Sequence, residues 1–161
     1  MATQRKPKSQ KKKKPENENY EFVIDDFDVD YHFGVNLSRD RIYDGNYWEG
    51  ATINLNGKVT SPKIKNINKA VIALAARHEL NEHWKDSPQE KPPNSIGMMQ
   101  ILNDNETLHS VCFVPSQSFP FIISAVVSGK VKFATIYGEK LRWRRAFISY
   151  FNIFTKLEDD I

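Results

Sequence analysis

The sequence has few of the features that mark membrane, secreted or disulfide-stabilised proteins. Cys112 is the only cysteine in 161 residues, so no disulfide can form within the chain. Its Val-Cys-Phe-Val context predicts a small buried hydrophobe rather than a reactive thiol. No stretch approaches the roughly eighteen consecutive apolar residues of a membrane span, and no apolar segment follows the N-terminal cations as in a secretory signal. We expect a cytoplasmic protein without membrane insertion, or a nuclear one in a eukaryotic cell.

Motifs for catalysis and cofactor binding are also missing. Gly138-Glu139-Lys140 lacks both the preceding glycine and the following Ser or Thr of a phosphate-binding loop, and no serine lies in a G-x-S-x-G turn. His78 and His83 flank Glu79 but are five residues apart. On a helix this spacing turns the two rings about 140° away from each other, so they cannot share a zinc ion. The sequence predicts no cofactor and favours a non-enzymatic protein.

Positive charge is concentrated at the N-terminus. Seven of the 23 cations lie in the first fourteen residues, and the remaining 16 face 20 acids, so the net charge of the rest of the chain is −4. Residues 1–19 are almost entirely polar and cannot bury enough surface to offset the entropy of ordering. We predict a disordered lysine-rich tail over residues 1–19 and a single globular domain over residues 20–161.

Strand patterns dominate this domain. Apolar and acidic residues alternate from Asp26 to Phe33, as in a strand with one solvated face. Residues 48–62 are interpreted as one strand, because a turn at Asn56-Gly57 would place Leu55 opposite Lys58. The ambiguous segment 69–80 slightly favours strand over helix. Further strands are predicted at 96–102 and 108–114, joined by a turn at 103–106, and at 131–137 and 141–155, joined by a turn at 138–140.

One helix is predicted near residues 116–128. Ser116 or Ser118 can cap its start, Pro120 suits its first turn, and Gly129 suits the residue after its last turn. Its expected apolar face contains Phe121, Ile122, Ala125 and Val126. Together these elements predict a mainly β fold, α+β by count of elements. The expected architecture is an antiparallel β-sandwich or a curved, partly closed barrel of six to eight strands, with the helix as a cap.

Acidic residues on the first strand are weak candidates for a metal site. Asp26, Asp28 and Asp30 alternate along one strand face, where carboxylates could bind a hard cation. The calcium-loop pattern fails, because Tyr31 stands where the loop needs glycine and Leu37 where it needs glutamate. A solvated strand face explains the same composition, and we favour that interpretation.

The most informative feature is the basic last hairpin. Residues 130–145 contain six cations and only Glu139 as an acid, a local net charge of +5. The candidate partner-binding residues are Lys130, Lys132, Tyr137, Lys140, Arg142, Trp143, Arg144 and Arg145. Arginine beside aromatic rings suits single-stranded nucleic acid or an acidic protein surface. The alternative, slightly favoured here, is plain solvated charge or pairing with the acidic residues of the first strand.

These patterns lead to three functional hypotheses. The first is a non-enzymatic binding or regulatory module that presents a β scaffold and this hairpin to another macromolecule, most simply a protein. The second is a nucleic-acid-binding protein that uses the basic tail and the hairpin. The third, least favoured, is a metal-dependent hydrolase using His78, Glu79 and His83 or the aspartates. An exposed edge strand would also support a homo-oligomer.

Overall fold

The computed structural model describes residues 16–35, 47–78, 80 and 95–156, the side chain of Trp48 excepted. The strands in these ranges are β1 (Asn17–Val35), β2 (Tyr47–Ser61), β3 (Lys69–Arg77), β4 (Gly97–Ile101), β5 (Thr107–Pro115), β6 (Phe133–Glu139) and β7 (Arg145–Phe154). A 3-10 turn (Ser116–Ser118) continues directly into the helix α1 (Phe119–Val127). Over the same ranges, no helix has the length and apolar character needed to cross a bilayer.

The seven strands close into a ring in the order β1-β2-β3-β5-β4-β7-β6. The ring closes where residues 17–23 of β1 pair with residues 133–139 of β6. The predicted mainly β fold, with six to eight strands and one helix, is confirmed, and the ring matches the curved barrel rather than the sandwich. The pairing is mixed, because β3 and β5 are parallel whereas the other neighbouring strands are antiparallel. This arises because β4, which precedes β5 in the chain, lies on the far side of β5.

The hydrophobic core fills the inside of the ring. Successive strand side chains point to opposite faces, so each strand contributes alternate residues to the interior. The largest fully buried residues are Tyr20, Phe22, Ile53, Leu55, Ile72, Leu74, Met99, Leu108, Ile136 and Ile148. Cys112 lies among them, and burial raises the pKa of its thiol to about 12. The prediction of a buried, unreactive cysteine is therefore confirmed.

Helix α1 packs against the core through Phe119, Ile122 and Val126. The predicted bounds are confirmed, and Gly129 follows with a φ of 69°, as expected for the residue after a helix. Two details of the prediction are wrong. Ser118 makes no side-chain capping bond, and Phe121 is exposed because Phe119, one helical turn before Ile122 and Ile123, occupies the inner face instead.

The long strands β1 and β2 extend beyond the ring as a two-stranded ribbon, defined here as residues 29–35 and 47–51. Neighbouring strands support only part of their length, since β6 pairs with β1 as far as Val23 and β3 pairs with β2 from Thr52. The predicted apolar alternation is present, but Val29, Tyr31 and Phe33 are exposed rather than buried. The ribbon thus carries an apolar face out of the core and into solvent.

The predicted tail boundary changes by three residues. Asn17, Glu18 and Asn19 belong to β1 and pair with the end of β6, although the sequence placed them in the tail. Backbone hydrogen bonds to β6 stabilise these residues even though their side chains are polar. Amino-acid composition alone does not reveal such pairing. Residues 1–15 lie outside the described part of the chain.

The turn of the last hairpin lies four residues later than predicted. Gly138 is inside β6, where a Cβ atom would lie 2.2 Å from the carbonyl oxygen of Phe147, so glycine permits a close strand approach instead of a turn. The register of β6 with β7 is irregular between Tyr137 and Gly138, opposite Ser149. As predicted, β2 continues through Gly57 and ends before Pro62, and the segment that begins at Lys69 is a strand.

Candidate functional site

The predicted basic residues occupy two ends of the last hairpin. Lys130 and Lys132 precede β6, whereas Lys140, Arg142 and Arg145 lie at or beside the turn that joins β6 to β7. Seven residues of strand separate the two groups by about 20 Å. The eight candidate residues therefore do not form one patch, and the group at the turn contains more of the cations.

The turn is a tight two-residue loop with an unusual backbone. The N–H groups of Arg142 and Arg145 each donate to the other's carbonyl, at 3.1 and 3.0 Å. Trp143 and Arg144 between them have φ values of 52° and 69°. Positive φ at both central residues defines a type I′ turn, which normally uses Asn or Gly because larger side chains are strained there. Trp143 is nevertheless at the tip, with 97% of its surface exposed.

Two cations of the turn pair with the residue that precedes β1. Glu16 lies 3.8 Å from the Lys140 ammonium and 3.7 Å from the Arg142 guanidinium. The backbone N–H of Lys140 also donates to the Glu16 carbonyl, at 2.8 Å. Both ion pairs are solvent-exposed and contribute little by themselves. The pairs leave Arg142 and Lys140 at the surface, where a partner can reach them.

Arg144 has a structural role. Its guanidinium donates to the side-chain oxygen of Asn105 at 2.6 Å, to the Ile101 carbonyl at 3.1 Å, and to the Leu102 carbonyl. These bonds attach the tip of the last hairpin to the turn between β4 and β5. Its planar fork of donors is therefore already largely used within the protein.

The acidic residues of β1 do not neutralise this turn. The segment of β1 from Asp26 to Asp30 pairs with β2, whereas the turn lies beside the Asn17 end of β1. The predicted pairing of these aspartates with the arginines is therefore wrong, since Asp26 is nine residues along β1 from Asn17, about 30 Å of strand. In the described part of the chain, Glu16 is the acid that forms ion pairs with cations of the turn, and backbone carbonyls accept from Arg144.

Exposed aromatic rings continue from the turn along the outer surface of the hairpin. Tyr137 and Tyr150 are cross-strand neighbours, and Phe147 is on the outer side of β7 because Ala146 and Ile148 point into the core. Arg145 is also exposed on this side. We call this surface the aromatic–basic face, defined by Tyr137, Trp143, Arg145, Phe147 and Tyr150. All of these residues except Arg145 are aromatic, and their side chains are exposed to solvent.

The aspartate candidates show no metal-binding arrangement. Asp28 accepts hydrogen bonds from the side-chain amides of Asn54 at 2.7 Å and Asn56 at 3.1 Å, and these bonds hold the pKa of its carboxyl below the usual value. Asp26 and Asp30 are exposed on the same strand. Across residues 16–35, 47–78, 80 and 95–156, no group of three His, Cys, Asp or Glu side chains could hold a metal ion. The candidates Glu79 and His83 lie outside these ranges.

A second surface feature is a groove between the ribbon and the N-terminal half of α1. Its volume is about 610 Å³, within the size range of small-molecule sites. We call it the ribbon groove. Its walls are mostly apolar and include Val29, Ala51, Ala76, Phe119, Pro120 and Ile123. The exposed apolar face of the ribbon therefore forms one wall of a cleft rather than a flat surface.

Four polar residues meet in the ribbon groove. The Ser116 hydroxyl lies 3.0 Å from Nδ1 of His78, and Nε2 of His78 lies 3.3 Å from one carboxylate oxygen of Glu49. The Tyr31 hydroxyl donates to the other oxygen of Glu49 at 3.1 Å, which raises the pKa of the Tyr31 phenol. The result is a continuous chain of contacts from Ser116 to Tyr31.

Strand register brings these residues together. Thr52 pairs with Ala75, so continuing the same antiparallel register places Glu49 opposite His78. Arg77 pairs with Pro115 in the parallel register of β3 and β5, so the next residues are His78 and Ser116. Sequence reasoning missed this cluster because residues in contact are 18, 29 and 38 positions apart in the chain and form no local motif.

Comparison of the chain with protein-family models, curated proteins and solved structures found no match.

Proposed function

We propose that this protein is a binding module whose β scaffold presents the aromatic–basic face to an acidic surface of another protein. The conformation and exposure of Trp143 carry the proposal. A left-handed backbone costs a non-glycine residue about 1–2 kcal/mol, and an almost fully exposed indole gains little packing in return. A residue that is unfavourable in the free protein is explained when a partner buries it.

The surroundings of Trp143 fit a protein partner. Trp, Tyr and Arg are the residues most enriched among those that dominate binding energy in protein interfaces. Tyr150 and Phe147 extend the apolar area, and Arg142 and Arg145 supply positive charge beside it. An acidic patch on the partner would complement that charge and favour rapid association.

The same geometry gives less support to nucleic acid as the partner. A single-stranded nucleic acid needs a continuous basic track along its phosphates. Here Arg144 is occupied by the 101–105 turn, and Lys130 and Lys132 lie at the other end of β6. The remaining cations suit one compact contact rather than a track.

The proposal is tested by quantitative binding to whichever protein the immobilised full chain captures. With that purified protein, Trp143→Ala should weaken the affinity about thirtyfold, which is the effect of losing a central interface residue. Phe121→Ala is the matched control, because Phe121 is an exposed aromatic residue on α1. Equal affinities for the wild-type and Trp143→Ala proteins would contradict the proposal. Salt-sensitive binding to single-stranded oligonucleotides that Trp143→Ala abolishes would favour nucleic acid instead.

A glycine at the same position separates binding from folding. Trp143→Gly should raise the free energy of unfolding by about 1 kcal/mol, because glycine adopts positive φ without strain. The same variant should lose partner affinity as Trp143→Ala does. Urea denaturation together with the binding titration measures both effects. A variant that is less stable than wild type would show that Trp143 has a structural role.

A further inference from the structure

We infer that the ribbon groove is a catalytic site for hydrolysis of esters with an apolar acyl group, in which Ser116 is the nucleophile and His78 the general base. This activity is separate from the proposed binding function, because the groove lies near Tyr31 on β1 and the aromatic–basic face lies beside Asn17. About 45 Å of strand separates these two positions.

The contact distances match the requirements of an activated serine. A nucleophile and its base must be within hydrogen-bond distance, and a third group must orient the base. Ser116, His78 and Glu49 meet these requirements at 3.0 and 3.3 Å. A neutral imidazole has one donor and one acceptor nitrogen. Glu49 accepts only from a protonated Nε2, and this leaves Nδ1 of His78 free to accept the Ser116 proton.

Glu49 is itself held in place. Tyr31 donates to its second carboxylate oxygen, and the pairing of β1 with β2 fixes the backbones of both residues. Glu49 and Tyr31 are therefore positioning residues that act through His78. They also keep a negative charge beside the imidazole, which stabilises the imidazolium formed during the reaction.

The lining and the size of the groove indicate the class of substrate. Its apolar walls would hold an acyl chain, and its volume suits a small amphipathic molecule. Ser116 is at the start of the continuous helical segment that runs to Val127, and the groove is lined by the N-terminal end of that segment. The positive end of the helix dipole therefore favours the negative charge that develops on the ester carbonyl oxygen.

The reaction proceeds in two balanced steps. In the first, Ser116 Oγ forms a bond to the acyl carbon while its proton moves to Nδ1 of His78. The ester C–O bond then breaks, and the leaving alcohol takes that proton. In the second, His78 removes a proton from water, the resulting hydroxide attacks the acyl carbon, and Ser116 Oγ leaves with the proton. The products are one alcohol and one carboxylic acid, with Ser116 regenerated.

The first experiment identifies the nucleophile. The full-length protein is treated with a fluorophosphonate, which phosphonylates activated serines, and the labelled peptide is identified by mass spectrometry. We expect stoichiometric labelling at Ser116 that is lost in Ser116→Ala and at least a hundredfold slower in His78→Ala. Ser118→Ala is the matched control, since Ser118 is two residues away in the same 3-10 turn. Absence of the label from Ser116, or equal labelling in His78→Ala, would overturn the inference.

The second experiment measures turnover of p-nitrophenyl butyrate. Glu49→Gln should lower kcat about tenfold and leave KM unchanged, and Glu49→Asp should partly restore kcat, because Glu49 acts through His78. Ala51→Phe, which narrows the groove, should raise KM. Thermal denaturation of each variant reports folding separately. Hydrolysis that persists in a folded Ser116→Ala protein would overturn the inference.

Discussion

Tyr20 shows how one side chain connects distant parts of the fold. Its ring is fully buried, and its hydroxyl donates to a Glu18 carboxylate oxygen at 3.0 Å while it accepts the backbone N–H of Leu141 at 2.8 Å. Burial, together with the nearby Glu18 carboxylate, raises the pKa of the phenol. The hydroxyl therefore stays neutral at physiological pH and fixes the start of β1 to the segment before the exposed turn.

Two glycines allow a quantitative test of how a single added side chain changes the stability of the fold. A Cβ on Gly138 would lie 2.2 Å from the backbone oxygen of Phe147, whereas a Cβ on Gly129 would meet nothing within 4 Å but would sit on a backbone with φ of 69°. Gly138→Ala should therefore cost about 3 kcal/mol of stability through overpacking. Gly129→Ala should cost about 1 kcal/mol through backbone strain alone. Urea denaturation distinguishes the two, and equal losses would contradict this explanation.

At the scale of elements, the turn between β4 and β5 depends on Asp104. Its carboxylate accepts the backbone N–H groups of Glu106 and Thr107 at 2.9 and 3.0 Å, and the Thr107 hydroxyl at 2.6 Å. The same turn receives the Arg144 guanidinium through Asn105. The conformation of this turn therefore contributes to the position of the last hairpin and of its exposed tryptophan.

Acid should weaken this turn. The Thr107 hydroxyl, followed by the backbone N–H of Glu106, holds the pKa of Asp104 below its usual value of 3.8. A carboxyl whose pKa is lowered by folding contributes stability that is present above pH 3.8 and is lost as the pH falls through the folded-state pKa. Asp104→Asn should therefore be less stable than wild type at pH 7, and the difference should shrink below pH 3.8.

Urea denaturation at pH 7, 5, 4 and 3 measures this dependence. Thr107→Val provides an independent variant, because it removes the hydroxyl but keeps the Asp104 carboxylate and a similar side-chain volume. Like Asp104→Asn, Thr107→Val should make the free energy of unfolding depend less on pH. A stability difference between Asp104→Asn and wild type that is constant from pH 7 to pH 3 would contradict the assignment.

At the scale of the whole molecule, ring closure depends on the first residues of β1. Asn17, Glu18 and Asn19 pair with β6, the Asn17 amide donates to the Tyr137 hydroxyl at 3.0 Å, and Glu16 contacts Lys140 and Arg142. These contacts join the N-terminal strand to a strand more than a hundred residues later in the chain. A truncation that removes them should weaken closure even though it removes only polar residues.

Two truncations test this directly. Removal of residues 1–15 should leave the free energy of unfolding within about 0.5 kcal/mol of wild type. Removal of residues 1–19 should lower it by about 2 kcal/mol, because several backbone hydrogen bonds worth roughly 1 kcal/mol each are lost. Denaturation curves at matched salt concentration measure both. Equal stabilities of the two truncated proteins would show that residues 16–19 do not contribute to closure.

Local chemistry made part of this fold predictable. The register argument at Asn56-Gly57 predicted one continuous strand, and Pro120 and Gly129 predicted the bounds of the helix. The alternation around Phe33 predicted a strand but not its exposure, because burial depends on which strands lie alongside it. The turn was misplaced because Gly138 serves a close strand approach, and no local rule predicts Trp143 and Arg144 at positive φ.

The aromatic–basic face and the ribbon groove also differ in how far the sequence predicts them, because only the first is built from residues that are close in sequence. The basic and aromatic residues of the last hairpin are close in sequence, so composition alone drew attention to them. Glu49, His78 and Ser116 meet through the order and register of three strands. The parallel pairing that aligns His78 with Ser116 was not predicted, so their contact could not be predicted either.

The closure of β1 against β6 also affects how the protein is made. The ribosome releases β1 early, whereas its partner β6 follows more than a hundred residues later. At 5–20 residues per second, the outer edge of β1 remains unpaired for roughly ten seconds. An unpaired strand edge can join another chain and begin aggregation, and nearby lysines oppose this by charge repulsion. Lys11 to Lys14 precede this edge and are synthesised before it. The basic segment would therefore protect the nascent chain until β6 arrives.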